Sequence, residues 1–134
     1  MVSGIYNRFK ANIFNKEVDL EGDTIKVLLM DNSHSFTATN DVKGDIVANE
    51  ITGTGYTAGG ATLGTKSVTQ AATTKWDAAN TAWSGATFSA WHAVIYDSTA
   101  TDNLIMSLDF GGEQAIVAAT FTIAWHADGI ITIS

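Results

Sequence analysis

Three histidines are the side chains most suited to metal binding in this chain of 134 residues. They are His34, His92 and His126, and the last two lie on separate predicted strands that could bring them together across a sheet. A tight metal site needs three or four converging ligands, but in sequence only Asp128 lies at ligand spacing from one of these two histidines. The chain has no cysteine, so thiolate ligands and disulfides are excluded. We expect histidines held by hydrogen bonds, with no metal ion and no cofactor.

Acidic side chains could form a catalytic carboxylate pair of the kind found in glycosidases. The candidates are Glu50, Asp109, Glu113 and Asp128. Nothing in the sequence brings two of them together, and acidic residues beside turns commonly accept hydrogen bonds from nearby backbone amides. The sequence also lacks a Gly-x-Ser-x-Gly nucleophile elbow. We therefore expect no catalytic residues and a protein that is not an enzyme.

A glycine-rich segment, EITGTGYTAGGATL (residues 50–63), could be mistaken for a phosphate-binding loop. Such a loop needs Gly-Lys-Ser/Thr at the start of a helix, whereas Lys66 here follows Gly64 and Thr65 within a strand-like run. Glycine tolerates backbone angles that other residues resist. The segment therefore predicts a sharply folded connection that leads into a strand.

Tryptophan side chains offer a third kind of site, because sugar faces stack on aromatic rings. In a domain of this size, tryptophans more often fill the core or a protein interface. A glycan-binding module nevertheless remains an alternative. The four rings are Trp76, Trp83, Trp91 and Trp125.

The composition narrows the classes of partner. Charged residues make up only 16% of the chain, against about 25% in a typical soluble domain. A surface of small hydroxylated side chains suits broad packing against other subunits, and it is equally common in secreted or viral β-proteins. The net charge of −7 repels phosphate backbones, so nucleic acid is disfavoured. No apolar run approaches the ~20 residues that span a bilayer, so we expect no membrane partner, and assembly in a cytoplasm is the default.

One helix is predicted over residues 3–17, with Ser3 as its cap. Apolar residues recur in it at three- and four-residue steps and form a stripe. This helix either covers one face of the domain or acts as an arm that docks on a neighbouring subunit. The stripe consists of Ile5, Tyr6, Phe9, Ile13 and Phe14.

From residue 24 onward the pattern changes to short strands. Residues 24–31 predict a strand buried on both faces, and residues 40–51 fit either a short helix or a loop. Alternation in the later strands places Phe88, Val94 and Tyr96 on one face and Trp91 and Ile95 on the other. It also places Leu104, Met106, Leu108 and Phe110 together on one face. Further strands are predicted at 61–70, 75–77, 81–84, 86–97, 103–110 and 120–126.

Glycines divide these strands into a compact β-fold. Gly85 and residues 109–113 are predicted turns, and Asp128-Gly129 predicts a two-residue hairpin whose returning strand is 130–134. The fold class is therefore mainly β, an antiparallel sandwich or jelly-roll-like barrel with one N-terminal helix. The predicted organisation is a helix or arm over residues 1–20 and a single β domain over 21–134.

Three parts of the chain together carry a family resemblance: IYNRFK (5–10) followed by DTIKVLL (23–29), NEITGTGYTAGG (49–60), and FTIAWHADGII (121–131). The combination resembles small structural proteins of tailed bacteriophages and prophages, and the likeness spans nearly the whole chain. No catalytic residues belong to the pattern. The resemblance implies a component of the virion, assembled in the host cytoplasm.

Within the virion, the resemblance favours a capsid decoration (cement) protein that bridges capsomers on the head. Its partners would be the major capsid protein and other copies of itself, with a trimer favoured. Tyr6, Phe9, Ile13 and Phe14 are the expected interface anchors. A tail tube, adaptor or tip component is the alternative position, and a glycan-binding adhesion module is the alternative class.

Overall fold

The computed structural model describes residues 3–134, so the first two residues of the predicted arm 1–20 lie outside the described residues. The described chain is mainly β, with two antiparallel sheets and an N-terminal helix. Two short 3₁₀ helices, Lys43–Asp45 and Val47–Asn49, occupy the segment predicted as helix or loop. The other elements are β1 (Gly4–Ile5), α1 (Asn7–Asn15), β2 (Ile25–Met30), β3 (Ala61–Thr62), β4 (Ser67–Thr69), β5 (Thr74–Asp77), β6 (Thr81–Asp97), β7 (Asn103–Ile123) and β8 (Ile131–Ile133).

The two sheets pack face to face. The large sheet has the strand order β1-β7-β6-β2-β3, and the small sheet has the order β4-β5-β8. The main hydrophobic core contains Val27 and Ile95 from the large sheet together with Trp76 and Ile131 from the small sheet. The predicted antiparallel sandwich is therefore confirmed.

A second, smaller core covers the opposite face of the large sheet. Leu28 of β2 and Val94 of β6 pack there with Ile46 from the long connection between β2 and β3. Since Val27 and Leu29 enter the main core, β2 is buried on both faces, as its apolar run predicts. Next to it, the predicted strand 61–70 is divided into the short β3 and β4.

Strands β6 and β7 form a long antiparallel hairpin joined by residues 98–102. Register shifts interrupt its ladder, and the shift between Ala90 and His92 changes the face that the following residues of β6 occupy. The prediction that Phe88 shares a face with Val94 and Tyr96 is therefore wrong. Phe88 lies in the main core, whereas the other two lie in the smaller core.

The predicted turns inside this hairpin are also wrong. Both strands continue through their glycines: Gly85 has a φ of +58° within β6, and Gly111 has a φ of +80° within β7. These glycines lie at irregular positions in the ladder, where a bulge uses backbone angles that glycine reaches easily. A register shift beside Ile95 likewise separates Leu104, in the smaller core, from Met106, in the main core.

The last strand has a different partner from the predicted one. Gly129 does lie in a turn, and its N–H donates to the carbonyl of His126. However, β8 pairs with β5 in the small sheet, with Trp76 opposite Ile131, and β7 belongs to the large sheet. The predicted terminal hairpin is therefore wrong, because the turn joins two sheets and not two neighbouring strands.

The N-terminal helix is shorter than predicted and is tied to the β domain. It begins at Asn7 with Tyr6 at the N-cap position, so Ser3 lies too early in the chain to cap it. The Ser3 hydroxyl instead accepts a hydrogen bond from the Asp109 N–H at 2.8 Å. Tyr6 is fully buried, and Phe9 packs in the main core. Among residues 3–134, no helix combines the length and apolar character that crossing a membrane requires.

Candidate functional site

Two of the three histidines meet in the interior of the protein. The rings of His34 and His92 lie 5.1 Å apart, edge to face, and both residues are buried. The His34 Nε2 lies 3.0 Å from the hydroxyl of Ser107, and the His92 Nδ1 lies 3.9 Å from a carboxylate oxygen of Asp109. His126 is exposed, and its Nδ1 accepts a hydrogen bond from the Asp128 N–H. The sequence offered His126 as the partner of His92, but the structure supplies His34 from a loop.

This cluster contains a serine, histidines and a carboxylate, which are the residue types of a hydrolytic site. Ser107 is fully buried, so no substrate reaches its hydroxyl in this structure. Burial, followed by the charge of His92, lowers the pKa of His34 to about 4. Within residues 3–134, no group of three or more His, Cys, Asp or Glu side chains could hold a metal ion. The His34–Ser107 contact and the packing of the two imidazole rings join the loop after β2 to β6 and β7. The His92 Nδ1 is buried without a hydrogen-bond partner among the described residues.

A pair of carboxyl groups that sequence reasoning missed lies where β2 begins and β6 ends. Asp97 is buried, and one of its oxygens accepts hydrogen bonds from the N–H groups of Thr99 and Ala100. Burial, followed by the hydrogen bond with Asp23, raises the pKa of Asp97 to about 7. The same hydrogen bond lowers the pKa of Asp23. The buried Asp97 therefore holds its proton to a higher pH than an exposed carboxyl does, and no local motif links it to the distant Asp23.

The four carboxylates considered from the sequence have separate environments. Glu50 accepts hydrogen bonds from the hydroxyl of Tyr56 and from the Gly59 N–H, both at 2.7 Å. Asp109 faces His92, while Glu113 and Asp128 are exposed. The structure shows hydrogen-bonding roles for Glu50 and Asp109, and it shows no hydrogen bond or ion pair that joins any two of the four among the described residues.

The glycine-rich segment is a sharply folded connection into β3, as predicted. Gly55, Gly59 and Gly60 all have positive φ values, at +83°, +95° and +79°. The hydroxyl of Tyr56 also accepts a hydrogen bond from the Leu29 N–H, which fixes the segment to β2. At Gly60 a Cβ atom would overlap the carbonyl of Val27. This close approach of two backbones requires glycine.

Two of the four tryptophans are unavailable for a surface platform. Trp76 and Trp83 lie in the main core, and the indole N–H of Trp76 donates to the carbonyl of Leu20. Trp91 and Trp125 are half-buried. A glycan-stacking surface in this structure could use at most these last two rings.

The most distinctive surface is formed by paired segments without charge. No Asp, Glu, Lys or Arg occurs in residues 78–96 or 114–127, although the chain carries a net charge of −7. The structure pairs these segments: Thr81 lies opposite Ile123, and Ala90 lies opposite Gln114. We call the paired residues 81–91 and 114–123 the uncharged ribbon. The two runs are visible in the sequence, but their pairing depends on the fold.

The uncharged ribbon has one buried and one open face. Phe88 and Trp83 pack against the ring of Phe121 on the buried face, with ring centroids 5.3 and 5.9 Å apart. The open face presents small side chains, and Val117 is 76% exposed on it. Within the described residues, no strand pairs with the outer edge of β7 along 114–123. A face without charged groups can be covered by protein with little cost of charge desolvation. Its exposed small residues include Ala82, Ser84, Thr87, Ala115 and Thr122.

A second apolar surface lies at the other end of the main core. A groove of about 610 Å³ is bounded by α1, by residues 16–23 and by the small sheet. Phe9, Trp76 and Ile131 form its buried floor. Ile13 and Ile133 on its rim are 42% and 60% exposed.

The four interface anchors expected from the sequence separate into two groups. Tyr6 and Phe9 are buried in the protein's own cores, so they are not available to a neighbouring subunit. Ile13 is partly exposed, and Phe14 is 90% exposed. The interface prediction is therefore restricted to Ile13 and Phe14.

Comparison of the chain with models of known protein families gives no match, and searches against curated proteins and against solved structures give no significant similarity.

Proposed function

We propose that this chain is a non-enzymatic structural protein of a bacteriophage virion, specifically a capsid decoration (cement) protein that bridges capsomers on the head. The family resemblance of the sequence supplies the virion setting. The single structural observation that supports the role is the uncharged ribbon, an open face of small side chains on an otherwise acidic protein.

The ribbon suits a protein partner better than the other partners considered. Negative charge on the rest of the chain repels nucleic acid, while the ribbon carries no positive side chain that would attract phosphate. A shell of capsid protein offers a broad surface on which such a face can be buried. Burial of apolar area contributes about 25 cal/mol per Å², offset by the cost of association. The major capsid protein and further copies of this chain are the proposed partners.

The test uses virions purified from the phage that encodes the chain, with the copy number measured by quantitative mass spectrometry. Hundreds of copies located on the head support decoration. A few tens of copies located in the tail would support the alternative role as a tube, adaptor or tip component. Virions that contain none of this polypeptide would refute the proposal.

A variant assay tests the ribbon itself. Val117→Asp places a charge at the centre of the open face, and we expect at least a tenfold loss of binding to heads that lack the protein, since each 1.4 kcal/mol is a factor of about ten. Val47→Asp is the matched control, because Val47 is 40% exposed and lies outside the ribbon. Equal binding by the two variants would count against the ribbon as the capsid-binding surface.

A further inference from the structure

We propose that the groove between α1, residues 16–23 and the small sheet receives Phe14 from a second copy of this chain. The inference deepens the self-association that forms part of the proposed function. It rests on a surface other than the uncharged ribbon, so the two can fail independently.

The exposed large apolar side chains are concentrated at this groove. Ile13, Val68 and Ile133 line it, and Phe14 follows Ile13 directly in α1. Phe14 is 90% exposed, the highest exposed fraction among the large apolar side chains of the described residues. An aromatic ring left this fully in water beside an open apolar groove indicates that both are covered in an assembled state.

Phe14 does not fill the groove of its own chain. Successive residues of an α-helix are rotated by about 100°, so Phe14 points away from the side of α1 on which Phe9 and Ile13 line the groove. Phe14 is not among the lining residues. The ring is therefore placed to enter the groove of a neighbour, and each copy both provides a ring and offers a groove. A head-to-tail contact of this kind closes into a ring when the rotation between neighbours divides a full turn, and the proposed trimer is one such ring.

The charges on α1 and in the groove favour a second copy of this chain as the partner that fills the groove. The described chain around α1 carries three basic side chains before its first acidic one, in a protein whose net charge is −7. The groove is lined by four acidic side chains and by two basic ones, Lys16 and Lys75. When α1 of one copy docks at the groove of the next, Lys10 beside Phe14 faces a lining with more acidic than basic side chains, whereas most other contacts between two acidic copies bring like charges together. Arg8 pairs with Asp41 of its own chain at 3.1 Å and Lys16 lines the groove, so the basic side chain available to a neighbour is the exposed Lys10. It lies one helical turn before Phe14, on the same side of α1. The acidic side chains of the groove are Glu17, Asp19, Glu21 and Asp23.

The test is the mass of the purified full-length chain in solution, measured by sedimentation equilibrium over a wide concentration range. We expect an assembly larger than the 14.2 kDa monomer, and Phe14→Ser should raise its dissociation constant at least tenfold. Val47→Ser is the matched control, since it replaces another exposed apolar side chain that lies outside both the groove and the uncharged ribbon. A wild-type chain that stays monomeric, or a Phe14→Ser variant that assembles like wild type, would overturn the proposal.

A charge exchange tests the orientation of the contact. Lys10→Glu and Glu21→Lys should each weaken assembly, and mixing the two variants should restore it, because each then supplies what the other lacks. Failure of the mixture to assemble better than either variant alone would overturn the placement of α1 against the acidic side chains of the groove. Binding of Phe14→Ser to phage heads is measured separately. Retained head binding shows that the virion role stands apart from self-association.

Discussion

Replacing Asp97 with Asn removes a proton that the folded protein holds near neutral pH. The pKa of Asp97 is raised from 3.8 to about 7 by burial and by Asp23. Between these two pH values the folded state binds a proton that the unfolded state has lost. The free energy of unfolding therefore falls as the pH rises, by about 1.4 kcal/mol per pH unit. Asn keeps the oxygen that accepts the Thr99 and Ala100 N–H groups, so the variant removes the titration and keeps the turn.

His34 makes the opposite contribution over nearly the same range. Its pKa is lowered from 6.5 to about 4, so between these values the unfolded state binds a proton that the folded state does not. Stability then rises with pH, again by about 1.4 kcal/mol per pH unit. The lowered pKa of Asp23 affects stability only below its ordinary value of 3.8. Between about pH 4 and pH 6.5, the contributions of Asp97 and His34 therefore cancel.

The two single variants should separate these contributions. We measure the free energy of unfolding in urea between about pH 4.5 and pH 6. For wild type, these two groups together should change it little over this range. For Asp97→Asn it should rise by about 2 kcal/mol with rising pH, and for His34→Gln it should fall by about 2 kcal/mol. Asp128→Asn is the matched control, because that side chain is 87% exposed. If Asp97→Asn and the control give the same slope, the folded protein does not hold the proton on Asp97. If His34→Gln follows the wild-type profile, the argument from the buried histidine fails.

Two further substitutions test the glycine-rich connection. Gly60→Ala should destabilise the protein by at least about 2 kcal/mol, because the residue has positive φ and its Cβ would overlap a carbonyl of β2. Gly44→Ala is the control, because no atom lies within 4 Å of its Cβ, and it should change the melting temperature little. Equal effects of the two substitutions would contradict the argument. Tyr56→Phe removes the hydroxyl that joins the Glu50 carboxylate to the Leu29 N–H. We expect a loss of about 1–3 kcal/mol in chemical denaturation, and an unchanged midpoint would show that water replaces the hydroxyl.

Local sequence patterns correctly predicted the elements whose structure depends mainly on their own residues. The apolar run of β2 needs both faces covered wherever it lies in the sheet, so its burial follows from composition alone. The tight glycine-rich connection is likewise a local property of the backbone. The sandwich follows from many short strands with glycine between them, which leaves few other ways to bury a core.

Alternation failed where the strand ladder is irregular. Along β6 the even-numbered positions from Phe88 to Val94 would share a face in a regular strand, but the shift beyond Ala90 changes the face. Glycine is common in turns, which is why the sequence predicts turns at Gly85 and Gly111, but both residues lie at bulges within continuous strands. Which role a glycine takes depends on whether a partner strand continues beside it, and that partner lies far away in sequence.

The uncharged ribbon could not be predicted from the sequence for the same reason, because it depends on the pairing of strands that lie far apart in the chain. Charge-free runs at 78–96 and 114–127 are unremarkable separately, since a buried strand also lacks charge. Once β6 and β7 pair, one face of the ribbon packs against the core and the other face is exposed. Burial explains the lack of charge on the inner face but not on the exposed face. A ribbon selected only for contact with water would gain solubility from Lys or Glu at those open positions, and protection of its free edge as well. The proposed partner would cover this face and account for its absence of charge, and Val117, in the middle of that face, is the residue at which the proposal is most directly tested.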